Sequence, residues 1–293
     1  MDKIYLGVRF APSPTGRFHV GNLRTAWVSH CWAKALREPW VVRFEDIDLP
    51  RVVPGAADLQ LADMKAVGLE PDLTIFQRSR IERHFSLFRD ALESGVLYPC
   101  RCSRKDVQEA LAGLASAPHG ELPIYTGQCR TGSSGLGPVA WRFRGSDPSG
   151  ARDFIVARTP SPEINLVSFQ PAYHWACAID DYDGKYSLLV RAIDLATSTP
   201  LQREIQAWIS HFEKREWSPP AVFHTSLVTA NDGGRLEKRT AGVTLSELLA
   251  AGRSLEDIRE AFRLSFKQTS FTFSPSEILS ESALTLKIQD LFL

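Results

Sequence analysis

His19 lies inside Thr15-Gly16-Arg17-Phe18-His19-Val20-Gly21-Asn22, after an apolar segment and before one with helical spacing. An imidazole beside the free amides of a helix start is phosphate-binding chemistry, because the helix dipole favours an anion there. Glu45, Asp46 and Asp48 make a second group of chemically capable residues; acids so spaced can hold a metal, take a cation or cap a strand end. Cys100, Cys102 and Cys129 make a third. Three thiols need one more ligand to close a zinc tetrahedron, and His119 is the chemically obvious candidate. Tyr173 and Arg191 offer a phenol and a guanidinium, and Arg235 and Lys238 place two cations in a glycine-rich turn.

These groups need elements to position them. Ile4, Leu6, Val8 and Phe10 alternate with other residues, the pattern of a strand with one face turned to a core. Leu23, Ala26, Trp27, Cys31 and Ala35 recur at helical spacing, with Asn22 placed to cap the first turn, and Trp40 to Phe44 reads as a second strand. A strand, helix, strand crossover is right-handed and makes the strands parallel, so the His19 turn falls at the carboxyl edge of a sheet. Further helices are expected from Ala57 to Gly68, Ile81 to Ser94, Leu245 to Ala250 and Leu255 to Phe262, with a strand near Ala151 to Val156. Cys31 and Cys177 fall in apolar periodic segments and are read as core.

Neither common phosphate fingerprint fits, since Asn22-Leu23 stands where a P-loop needs Lys-Ser/Thr, and no G-x-G-x-x-G occurs here. Thr15-Gly16-x-x-His19-x-Gly21-Asn22, preceded by R-F-A-P-S-P, resembles the signature of class I aminoacyl-tRNA synthetases. R-F-E-D-I-D at Arg43 to Asp48, the Tyr173 to Asp181 segment, V-R-A-I-D-L at Val190 to Leu195 and R-L-E-K at Arg235 to Lys238 resemble the glutamyl branch, which usually has K-L-S-K in the last position. The set Cys100, Cys102, Tyr125 and Cys129 resembles the zinc site of the glutamyl-queuosine tRNA(Asp) synthetases, in which tyrosine is the fourth ligand.

The resemblance implies a doubly wound parallel α/β catalytic domain in two halves, 1–99 and 173–240, interrupted by a zinc-bearing insertion, 100–172, and followed by a short helical tail, 241–293. It implies ATP held by Pro12, Thr15, Gly16, His19, Gly21, Asn22, Arg235 and Lys238, with His19, Gly21 and Lys238 catalytic. Arg9, Ser13, Glu45, Tyr173 and Arg191 would bind L-glutamate. The implied cofactors are structural Zn²⁺ and Mg²⁺ carried with ATP. The implied reaction is activation of glutamate as its adenylate and transfer to queuosine in the anticodon stem-loop of tRNA(Asp). The residues beyond Thr240 are too few for the anticodon-binding region of a full glutamyl-tRNA synthetase. Two other functions fit the same motifs: a truncated glutamyl-tRNA synthetase charging a tRNA 3′ end, and a non-catalytic nucleotide- or RNA-binding paralogue.

The 293 residues carry 34 basic and 34 acidic side chains, so any nucleic acid must be met by local patches rather than by net charge. Five cysteines, an odd number, argue against a disulfide framework and for a reducing compartment. With no secretory leader and no apolar run able to span a bilayer, the expectation is a cytoplasmic monomer without a membrane partner.

Overall fold

The computed structural model describes residues 7–103, 105–106, 125–133, 137–230, 243–268 and 270–292. In chain order, β1 (Val8–Phe10), α1 (Val20–Leu36), β2 (Trp40–Phe44), α2 (Ala56–Ala66) and β3 (Leu73–Phe76) come first. They are followed by α3 (Ile81–Glu93), β4 (Leu97–Cys100), β5 (Val139–Phe143), β6 (Phe154–Thr159), β7 (Gln170–Pro171) and α4 (Tyr173–Gly184). The chain closes with β8 (Leu188–Ala192), α5 (Ser198–Phe212), β9 (Ala221–Thr225), β10 (Leu227–Thr229), α6 (Leu245–Ala250), α7 (Leu255–Ser265), β11 (Ile278–Ser280), β12 (Thr285–Lys287) and α8 (Ile288–Leu291). Among the described residues no helix is long and apolar enough to cross a membrane.

Two compact units result. The first comprises residues 1–78, 181–196 and 218–293, and the second residues 79–180 and 197–217. In the first, six strands form one sheet in the order β11-β9-β8-β1-β2-β3, with every neighbouring pair parallel. The chain runs outward from β1 through β2 to β3, then restarts on the other side of β1 with β8. That reversal is the switch point at which a doubly wound sheet opens a crevice beyond its carboxyl edge. The second unit carries an antiparallel sheet, β4-β5-β6-β7, and an aromatic core in which the Phe88 ring meets Trp141, Phe169 and Trp175.

The register divides the parallel sheet into two unlike faces. Val8, Phe10, Trp40, Val42, Phe44, Leu188, Val190, Ala221 and Phe223 belong to the main apolar core, together with Leu23, Ala26 and Trp32 of α1. The opposite face carries Arg9, Arg43, Arg191 and His224, set among Val41, Ile75, Leu189 and Val222. It is buried as well: Arg9 is 3%, Arg43 0%, Arg191 4% and His224 2% exposed. The one-faced strand expected from the alternation in β1 is therefore a central strand buried on both sides, with parallel neighbours at either edge and all three of its residues buried.

Buried cations need a partner, and Asp181 of α4 supplies it. Its carboxylate accepts from Arg9, at 3.1 Å from Nε, and from Arg43. Arg43 also lies 3.4 Å from Glu45. Burial alone would push the Asp181 carboxyl up, but the charges of Arg43 and Arg9 outweigh it and hold the carboxyl below its usual range.

The chain beyond Thr240 forms the expected helices and also supplies strands. β11 extends the main sheet beside β9, and β12 pairs with β10. Arg24 of α1, fully buried, is held by Glu281 at 2.6 Å, while Ile258, Phe262 and Leu291 enter the main core.

Asp181→Asn is expected to lower unfolding stability by about 3–5 kcal/mol, because two buried guanidiniums lose their counter-charge while the volume is kept. The loss should be the same at every pH above the ordinary carboxyl value of 3.8, since the folded carboxyl lies lower still. Urea denaturation at pH 5 and 7 measures it, and an unchanged midpoint would contradict this role.

Candidate active site and thiol cluster

The turn between β1 and α1 is built to be rigid. Phe18, 1% exposed, packs its ring 6.1 Å from that of Phe10 and anchors the turn from beneath. Gly16 has φ 127°, a conformation that residues with a Cβ rarely adopt. The Pro12 carbonyl accepts from the Glu45 amide at 2.9 Å, and the Pro14 carbonyl from the Val53 amide at 3.0 Å. Gln60 of α2, itself 2% exposed, donates its amide to the Ser13 carbonyl at 3.1 Å and to the Gly16 carbonyl at 2.7 Å. One helical turn on, Asp63 accepts from Arg17 at 2.9 Å.

His19, rather than Asn22, caps α1. The helix begins at Val20, and the His19 Nδ1 accepts from the Asn22 amide at a long 3.4 Å, while the His19 carbonyl accepts from the Asn22 and Leu23 amides. The chain enters the helix three residues early because Val20 donates to the Val243 carbonyl and His19 forms a β-bridge with Thr244. An imidazole that accepts at Nδ1 is the tautomer able to donate from Nε2, the chemistry a phosphate oxygen at a helix start needs. A side chain at Gly21 would be crowded: a Cβ there would lie 3.1 Å from two atoms of the His19 ring and 3.1 Å from the Val228 Cβ.

The three acids after β2 part company. The Asp46 carboxylate accepts from the Arg78 amide at 2.7 Å, and Asp48 pairs with Arg51 on the surface. Glu45 is the one tied directly to the turn, through its backbone, and to the cationic face, through Arg43. Arg9 and Arg191 lie on that face; Arg9 is occupied by Asp181, and Arg191 stands one step nearer the carboxyl edge, in register with His224. Ser13 and Thr15 lie in the turn, the Thr15 amide donating to the Ser13 carbonyl at 2.9 Å. Tyr173 opens α4 within the second unit. Arg235, Lys238 and His119 lie outside the described residues.

Gln60, Asp63 and His224 were not signalled by the motifs. A polar pair three apart on α2 was the available signal for the first two. Burial pushes the His224 imidazole down, and the neighbouring Arg191 charge pushes it further, to about 4. It is therefore neutral across the physiological range.

In the second unit, the Sγ atoms of Cys100, Cys102 and Cys129 all lie within 4.8 Å of one another, a grouping that fits a metal ion. Cys102 and Cys129 are 3.5 Å apart. The Tyr125 hydroxyl joins them, 3.6 Å from the Cys100 sulfur and accepting from the Cys129 amide at 2.9 Å. Burial would raise the Cys129 thiol, but hydrogen bonds from the Arg101 backbone, from Tyr125 and from the neighbouring thiols bring it down to about 7. Burial pushes Cys102 up to about 12 and raises the Tyr125 phenol further, so these two would give up protons only to a bound cation. The donor set suits zinc, with Tyr125 in reach as a fourth ligand.

Two outcomes follow from this geometry. Protein purified without chelator should hold one zinc per chain by elemental analysis, Cys129→Ser should lose it, and Tyr125→Phe should release it faster to a chelator. Retention by Tyr125→Phe together with loss in His119→Ala would assign the fourth position to His119. For His224, the folded value of about 4 lies below the ordinary 6.5, so its contribution is complete above pH 6.5 and is lost as pH falls towards 4. The gap corresponds to roughly 3 kcal/mol, and His224→Gln should unfold with a flatter pH profile between those limits.

The class I tRNA synthetase family for glutamate and glutamine (E and Q), catalytic domain, matches residues 5–134. A glutamyl-Q tRNA(Asp) synthetase of Nocardia farcinica is 36% identical over 268 residues, which covers 85% of this chain and 81% of that protein. Among solved structures, the glutamate-tRNA synthetase of Elizabethkingia anophelis superposes with a TM-score of 0.66 at 18% identity, covering 99% of this chain and 69% of the other. A glutamate tRNA ligase of Elizabethkingia meningosepticum gives 0.57 at 21% identity over 82% of this chain, which spans about half (53%) of that protein. These structures share the fold of the doubly wound sheet. The sequence likeness reaches further, and on it the chain belongs to the glutamyl-Q tRNA(Asp) synthetase family of class I synthetases.

Proposed function

We propose that the chain activates L-glutamate with ATP, bound as its Mg²⁺ complex, and transfers the glutamyl group to queuosine in the anticodon stem-loop of tRNA(Asp), working as a monomer. The observation that carries this reading is the cationic sheet face ending beside the His19 turn. An anionic side chain and a triphosphate need separate cationic ends in one crevice, and the first unit has both kinds of group at one sheet edge. The names of the relatives supply the acceptor.

In this reading the glutamate α-carboxylate attacks the α-phosphorus in line, the bond to the bridging oxygen breaks, and pyrophosphate leaves. The α1 amides and the His19 Nε2 donor stabilise charge on the phosphates, and Lys238 acts with them. Arg191 takes the substrate's side-chain carboxylate and Glu45 its ammonium group. Arg9, held by Asp181, supports this end of the site, and Pro12, Ser13, Thr15, Gly16, Gly21 and Asn22 shape the turn around the nucleotide. A hydroxyl of queuosine then attacks the acyl carbon and releases AMP. No side chain becomes covalently modified, so positioning and electrostatics supply the acceleration. Cys100, Cys102, Tyr125 and Cys129 would hold a zinc ion that braces the second unit and takes no part in the transfer.

Two measurements test the reading. The protein should exchange pyrophosphate into ATP with glutamate and without tRNA, and Arg191→Leu should lower this by on the order of a thousandfold while ATP still binds. Labelled glutamate should attach to tRNA(Asp) bearing queuosine, with the label in the anticodon fragment after nuclease digestion, and not to the queuosine-free tRNA. Label at the 3′ end of tRNA(Glu) would make the protein a glutamyl-tRNA synthetase instead, and absence of exchange in the parent would leave a binding protein.

A further inference from the structure

The cationic face of the sheet does not stop at Arg191. On the next strand His224 stands directly in register with it, as Arg191 pairs with His224 between β8 and β9. In a parallel ladder, paired residues project to the same side, so the imidazole lies beside the guanidinium's stem. His224 is 2% exposed, a degree of burial at which each ring nitrogen needs a partner.

One nitrogen has a partner on the far side. The ring is hydrogen-bonded to the backbone of Leu279 in β11, the strand that flanks β9 away from β8. A backbone carbonyl takes the N–H, which leaves a lone pair on the other nitrogen. The two nitrogens lie on different sides of the ring, and on the side away from β11 the residue paired with His224 is Arg191 of β8. That second nitrogen, Nε2, is fully buried and has no hydrogen-bond partner among the described residues. A buried acceptor left in this state is costly, and a donor brought to it recovers that cost.

We propose that His224 is a positioning residue for Arg191: Nε2 accepts a hydrogen bond from the Arg191 guanidinium and turns its remaining donors towards the side-chain carboxylate of the amino-acid substrate. The inference rests on the glutamate reading of the site. A neutral imidazole suits this task in two ways. Its lone pair complements a guanidinium, which can only donate, and it offers no positive charge to compete for the carboxylate. Burial and the Arg191 charge both oppose protonation, which keeps the acceptor in place at working pH.

The test separates an acceptor from a packing residue. Glutamate-dependent pyrophosphate exchange is measured for the parent, His224→Phe and His224→Gln, with KM for glutamate and for ATP and a thermal unfolding curve for each. Phenylalanine fills the volume without an acceptor and should raise the glutamate KM by about tenfold or more, with the ATP KM within about twofold of the parent. Glutamine can donate to Leu279 and still accept from Arg191, so it should recover most of the glutamate affinity. If the phenylalanine variant fails to fold, His224→Leu takes its place. The proposal is overturned if a folded Phe or Leu variant keeps the parent's glutamate KM, if Gln is as impaired as Phe, or if both KM values rise together. A parent that binds ATP but exchanges nothing with glutamate overturns the glutamate reading itself, an outcome separable from the other three.

Discussion

Two guanidiniums on adjacent central strands stay charged in the interior because a single carboxylate lies against both. Asp181 meets Arg9 of β1 and Arg43 of β2, all three at most 3% exposed, and much of the first unit follows from that arrangement. The pairing fixes Asp181 against one face of β1 and β2, and the alternate positions of those strands belong to the apolar core around α1. A hydrophobic replacement of such a cluster is commonly as stable or more so, so stability alone does not account for retaining charge here. What the cluster provides is a cationic floor beneath the carboxyl edge of the sheet. Along it Arg43, Arg9 and Arg191 follow one another across three strands.

The turn that carries His19 is held from several directions that share no residues. Phe18 anchors it in the core, Glu45 and Val53 satisfy its carbonyls from the chain after β2, and Gln60 clamps it from α2. Each contact removes freedom from the turn, and in the proposed reading a triphosphate would meet donors already in place, the basis of preorganised electrostatic stabilisation. Gly21 fits the same logic. Its missing side chain lets the His19 ring lie against the first turn of the helix it caps.

The thiol cluster obeys a different constraint. It sits in an antiparallel unit whose core is aromatic, where Tyr98, Cys100 and Tyr125 pack together and Arg142 stacks 3.6 Å over the Tyr125 ring. A phenol clamped between a guanidinium and a cysteine sulfur is oriented before any metal arrives. That makes Tyr125 a packing residue of the unit as well as the proposed fourth ligand.

Much was legible in the sequence because it is local. The strand, turn and helix around His19, the helices Leu245–Ala250 and Leu255–Ser265, and the grouping of Cys100, Cys102 and Cys129 all follow from spacing within short windows. The cap on α1 is His19 rather than the expected Asn22 because the helix start is set by Val243 and Thr244, more than two hundred residues away. The clamp from Gln60, the strands at Ile278 and Thr285, and the partnership of Arg9 with Asp181 across 172 residues leave no periodic trace either. Sequence by itself determined which residues could do chemistry and the local element each would occupy, since backbone preference and side-chain period act over a few residues. Tertiary structure decided which of them would be charged, paired or buried, because those properties depend on the desolvation and counter-charges that only distant segments bring.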